Sequence, residues 1–68
     1  MLERGTLLAF DSGAYTATVR YAGSLTTVVQ GVPVSRAIPS AELVADRRVA
    51  VALFDPGHPA DAMVVGVY

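Results

Sequence analysis

The chain has 68 residues, room for one small domain over residues 1–68, and a domain of that size buries only about 60% of the surface its unfolded chain exposes. It contains no cysteine and a single histidine, which excludes disulfides and zinc–thiolate sites and leaves oligomerisation as the usual remaining support for so small a core. A net charge of -1, with five arginines and no lysine, excludes the strongly basic surface of a typical nucleic-acid binder.

The first predicted strand covers residues 4–10. Asp11, Ser12 and Gly13 then spell a tight hairpin, the polar side chains bonding the turn backbone and the glycine supplying a positive φ. A second strand over residues 14–21 alternates cleanly. Tyr15, Ala17, Val19 and Tyr21 share one face, and Thr16, Thr18 and Arg20 share the other, the period of a half-buried strand. Ala22, Gly23 and Ser24 form the next turn, and a third strand follows over residues 25–32.

Residues 33–46 break this rhythm. Pro33 and Pro39 with Ser35 and Ser40 predict a connection crossing the molecule, with Ser40 capping one helical turn. Val34, Ile38, Leu43 and Val44 are its candidates to plug an open barrel end. Two more strands, residues 47–54 and 62–68, flank the loop at residues 55–61. Both are apolar in both directions. Val49, Val51 and Leu53 oppose Ala50, Ala52 and Phe54; Met63, Val65 and Val67 alternate with Val64, Gly66 and Tyr68.

A strand apolar on both sides normally has both sides covered, and no segment here is long enough to supply a covering helix. Hydrophobic residues are 53% of the chain and charged residues 16%, against about 25% charged in an ordinary domain. A neighbouring copy is therefore the expected cover, with Ala50, Ala52, Phe54, Val64 and Tyr68 as the expected interface. Three consecutive strands, a crossing connection and a final hairpin predict an all-β, five-stranded barrel of the oligonucleotide/oligosaccharide-binding (OB) type, with an SH3-like barrel as the alternative. Gly5, Gly31 and Gly66 fall where such barrels bend or bring backbones close.

Catalytic chemistry has little to work with. Asp55, His58 and Asp61 bracket one loop and suggest a small cation or proton-relay site, but aspartates also flank Pro-Gly turns simply to bond the turn backbone. Ser12, Ser24, Ser35 and Ser40 have no histidine at a suggestive spacing, and no glycine-rich phosphate loop precedes a helix. The chain is thus expected to be non-enzymatic, without catalytic, metal or cofactor-binding residues. A single-stranded nucleic-acid-binding barrel is the rival function; it would use Tyr15 and Tyr21 as stacking platforms beside Arg20, although both tyrosines lie on the best core face. The start of the chain does not read as a signal peptide, and no apolar run approaches the ~20 residues of a membrane span, so a cytoplasmic protein or a particle component is expected.

The stretch "RRVAVALFDPGHPADAMVVGVY" resembles the end of OB-type barrel domains in phage tail-spike, baseplate and type VI secretion spike proteins. In that family a "V-x-V-x-F" strand leads through an Asp/Pro/Gly loop into a "V-V-G-x-Y" strand, matched here by Val64, Val65, Gly66, Val67 and Tyr68. "GVPVSRAIPSAELVADRRV" resembles the family's approach to its fourth strand, with Asp46 where a Gly-Asp pair is commoner. The likeness covers residues 31–68 and extends to short phage-associated bacterial proteins. It implies a trimeric structural module of a tail or virion, partnered by itself and by other tail proteins. No β-helical needle follows the barrel, so a membrane-piercing role is not part of the expectation.

Overall fold

In the computed structural model, which describes residues 1–23, 27–55, 57–58 and 60–68, the chain is a curled antiparallel sheet of five strands. These are β1 (Leu2–Asp11), β2 (Thr16–Tyr21), β3 (Val28–Pro33), β4 (Arg48–Leu53) and β5 (Ala62–Val67), in spatial order β3-β2-β1-β4-β5. This is the small, all-β, barrel-like fold that the turn residues predict. Ser24, Leu25 and Thr26, expected in a turn and at the start of the third strand, lie outside the described residues, as do Pro56 and Pro59. Among the described residues no helix is long and apolar enough to cross a membrane.

The first strand is the spine. Its early residues pair with β4, from Leu2 opposite Ala52 to Thr6 opposite Arg48, while Gly5 onward pairs with β2. A register shift between Leu7 and Ala9 bends the strand so that one chain segment serves two sides of the barrel. Gly5 is where these ladders crowd. A Cβ there would stand 2.7 Å from Val19 Cγ1 and 3.1 Å from the Arg20 carbonyl oxygen, so only glycine fits.

Asp11 closes the β1–β2 hairpin, its Oδ1 accepting from the backbone N–H groups of Gly13 (2.9 Å) and Ala14 (3.4 Å). The positive φ expected at Gly13 falls instead at Tyr15 (φ 55), the last residue before the ladder resumes. Tyr15 is held there from several sides: its ring meets Phe10 edge-on at 5.0 Å, its hydroxyl donates to the Ile38 carbonyl, and Arg36 lies over it. A second register shift sets Gln30 and Gly31 opposite Thr18, and Gly31 takes φ 70 at that bulge.

The connection after β3 crosses to the far side, as its prolines suggest. Ser35 N–H donates to the Val64 carbonyl at 2.9 Å, and Val34 forms a parallel bridge to Val64, drawing the end of β3 against β5. Ser40 does not cap the following turn. It begins the 3-10 segment Ser40–Glu42, and Pro39 occupies the cap position without a side-chain hydrogen bond. Val34, Ile38 and Leu43 enter the core as expected, but Val44 stays outside because the turn points it away. The core's fully shielded side chains are Leu7, Val19, Val32, Val49, Val51 and Val64, drawn from all five strands.

Candidate functional site

The register between strands assigns an outer face. Val49 and Val51 point inward on β4, so Arg48, Ala50 and Ala52 point outward, and their β1 partners Thr6, Arg4 and Leu2 share that side. On β5, Met63 stands opposite Ala52 and Gly66 opposite Ala50. The result is an apolar surface on β1, β4 and β5. Leu2 is 70% exposed, Phe54 64%, Tyr68 50% and Val65 39%, with Ala50, Ala52 and Met63 half-buried between them.

Four of the five residues expected at an interface therefore lie outward: Ala50, Ala52, Phe54 and Tyr68. Val64 does not. It is fully shielded in the core, opposite Val51. The cause is a register shift between Ala50 and Val51 that sets an extra β5 residue into the ladder. Strict alternation fails at that bulge, so Val64 turns in and Val65 takes the outer position. Leu2 was the residue sequence reasoning missed. It forms an alternating outward set with Arg4 and Thr6, a signal masked by starting the strand at residue 4.

The same register gathers charge. Thr6 is flanked by Arg20 on β2 and Arg48 on β4, and Arg4 lies two residues along β1 on the same side. Directly opposed side chains in such ladders start about 5 Å apart, so three arginines distant in sequence share one patch. Arg48 also stacks over the Tyr68 ring at 5.2 Å. Among the described residues none of the three forms an ion pair. The carboxylates are Glu3 on the inner side of β1, Asp11 at the hairpin end of β1 opposite Thr16, Glu42 and Asp46 in the connection, the latter bonded through its N–H to the Leu7 carbonyl, and Asp55 and Asp61 around the last loop.

That last loop is organised by its backbone. Asp55 Oδ1 accepts from Gly57 N–H at 3.0 Å, His58 N–H donates to the Asp55 carbonyl, and Asp61 N–H donates to the His58 carbonyl. Asp55 and His58 side chains meet at 2.7 Å, both well exposed. Asp61 is not drawn into this pair, and among the described residues no group of three potential ligands could hold a metal ion. The supposed stacking platforms are also committed. Tyr21 is buried, with its phenol held above the ordinary 10.0 first by burial and then by the nearby Glu3 carboxylate, and Tyr15 is packed as described. A cleft of about 150 Å³ between the ends of β1 and β2, lined by Phe10, Asp11, Thr16 and Gly31 among others, carries one carboxylate and no base.

Compared with protein-family models, with curated proteins and with solved structures, the chain finds no match.

Proposed function

We propose that the chain is a non-enzymatic structural module that assembles with copies of itself, three being the preferred number, within a phage-tail-like or virion-derived particle. One observation carries the reading: Leu2, Phe54, Val65 and Tyr68 expose apolar surface on one outer face of the barrel, and no helix among the described residues lies over them. At about 1.5–3 kcal/mol for a fully buried large apolar side chain, covering the exposed parts of these four is worth about 5 kcal/mol per copy. Association costs about 4–15 kcal/mol, so the face alone brings two chains only to the threshold. Its partner surface must add apolar contact or charge complementarity.

An OB-type barrel is the proposed architecture. A strand order with β1 between β2 and β4, and a parallel contact of β3's end with β5, supports that type over an SH3-like one. The resemblance of residues 31–68 to tail and spike barrels supports the particle setting. Multi-angle light scattering across micromolar concentrations tests the proposal. A defined small oligomer is expected, and a stable folded monomer throughout would refute it.

The arginine patch favours a second reading, binding of single-stranded nucleic acid through Arg4, Arg20 and Arg48. Three phosphate contacts predict a log–log salt slope of about -2 for oligonucleotide affinity. Absence of binding at low salt removes it.

A further inference from the structure

Resting on the self-assembly reading, we infer that two copies join along the free edge of β5, antiparallel and centred on Val67, with Tyr68 of each lying across Gly66 of the other. The sheet order leaves two edges, β3 and β5. On β5, Phe54 N–H donates to the Asp61 carbonyl and Tyr68 N–H to the Arg48 carbonyl, which fixes the alternation of the ladder with β4. Val67, one residue before Tyr68, therefore turns its N–H and carbonyl away from β4 and toward the edge. Val64 obeys the same rule, its carbonyl accepting from Ser35 N–H. That contact ends the cover: Val34 makes an isolated bridge, and Ile38 N–H returns to the Ser35 carbonyl in a turn.

Proteins blunt exposed strand edges with proline, charge or a bulge. The β3 edge is blunted. Tyr21 N–H donates to the Thr27 carbonyl and Val34 N–H to the Tyr15 carbonyl, so Val28 and Pro33 face the edge. Pro33 has no N–H to offer, and the bulge at Gly31 interrupts the strand between them. Beyond its own bulge at Val65, β5 has no such device: Gly66, Val67 and Tyr68 hold neither charge nor proline.

The side on which each side chain lies selects the partner strand. Val28 points outward beside Arg20, whereas Val67 points inward beside Val49. Joining β5 to the β3 of a neighbour through these residues would continue the core side of one barrel into the outer side of the other. Joining β5 to β5 keeps core side with core side. With Val67 opposite its own copy, two backbone bonds form between them, and Gly66 stands opposite the other copy's Tyr68. A Cβ on Gly66 would meet Ala50 Cβ at 4.0 Å, so the outward side of that residue is open, and a ring laid there compensates for the missing side chain. Tyr68, 50% exposed, supplies the ring, and Val65, 39% exposed, flanks it. The contact is twofold, so it pairs single copies or two sets of three.

The test uses variants of the full chain. Val67→Pro removes the edge N–H without touching a bond to β4. Both central bonds are then lost, and sedimentation velocity should show association at least about tenfold weaker. Val28→Pro, the matching change on β3, should associate like the wild type. Register is read with cysteine, since the chain has none of its own. Gly66→Cys and Tyr68→Cys chains, mixed under air, should cross-link to each other faster than either does to itself. Opposed residues flanking a hydrogen-bonded pair lie about 4.5 Å apart at Cα, within disulfide reach, and diagonal ones about 7–8 Å.

Pairing that survives Val67→Pro, loss of pairing on Val28→Pro, an assembly of three alone, or equal cross-linking within and between the cysteine variants overturns the edge contact while leaving self-assembly standing. A wild-type chain that stays monomeric, including one whose edge takes only an added alternating Thr-Val peptide, overturns both. Circular dichroism verifies that the variants fold; if Val67→Pro does not, the cysteine cross-link decides.

Discussion

Replacing Gly5 with alanine tests the packing that holds the two sides of the barrel together. The new Cβ would stand 2.7 Å from Val19 Cγ1 and 3.1 Å from the Arg20 carbonyl oxygen, with Val49 Cγ2 at 3.6 Å. Neither close neighbour yields easily. Val19 is fully shielded, and the Arg20 carbonyl belongs to the backbone of β2. Overpacking of this kind costs about 1–3 kcal/mol. A domain of 68 residues has about 3–10 kcal/mol of stability in total, so the loss is a large share of it. At about 4–8 °C per kcal/mol for a small domain, the melting midpoint should fall by roughly 8–16 °C for a loss of about 2 kcal/mol. Val19→Ala removes Cγ1, so the double variant should be more stable than the sum of the single losses predicts, a coupling measurable in a double-mutant cycle by urea unfolding. Strict additivity, or an unchanged midpoint for Gly5→Ala, would refute the close approach of β1 and β2 on which the register assignment rests.

The β5 bulge predicts opposite outcomes at adjacent residues. Val64→Asp places a carboxylate in the shielded core and should cost more than about 4 kcal/mol, leaving little folded chain by circular dichroism, whereas Val65→Asp should keep the wild-type circular dichroism spectrum and sediment as a monomer, its melting midpoint lowered only by the lost association. If Val65→Asp unfolds the chain instead, the bulge assignment is wrong. The raised pKa of Tyr21 means that the folded state keeps the phenolic proton after the unfolded chain begins to release it near pH 10; its contribution to stability is full below that pH and is lost above it. Denaturation between about pH 9 and about pH 11 should therefore steepen for the wild type and flatten for Tyr21→Phe, and equal slopes would count against burial of the phenol. His58→Ala should change stability by no more than about 0.5 kcal/mol and leave the oligomer intact, because its partner Asp55 is exposed and already bonded to Gly57 N–H. Loss of assembly on that substitution would return the 55–61 loop to consideration as a site.

The fold was legible where local chemistry dictates it. The alternation of Ala17, Val19 and Tyr21 marked the buried face of β2, and Asp11 marked the first hairpin by the side-chain bonds it makes. The outward set of Ala50, Ala52, Phe54 and Tyr68 followed from alternation outside the bulge. Val64 did not, because an extra residue in a ladder is a property of two strands and leaves little trace in either one alone. The arginine patch was hidden for the same reason: Arg4, Arg20 and Arg48 are far apart in the sequence and become neighbours only through the register of β1 with β2 and β4. Positive φ went to Tyr15 rather than Gly13 because the Phe10 ring and the Ile38 carbonyl hold the tyrosine in place, contacts invisible in a turn motif.

The claim that a second copy covers the outer face is tested most directly by methyl NMR with a soluble paramagnetic agent, comparing Val65 with Val64 over a dilution series. Val64 should stay protected at every concentration, being core, while Val65 should be protected when concentrated and become accessible on dilution. Val65 methyls bleached equally at all concentrations would contradict the account.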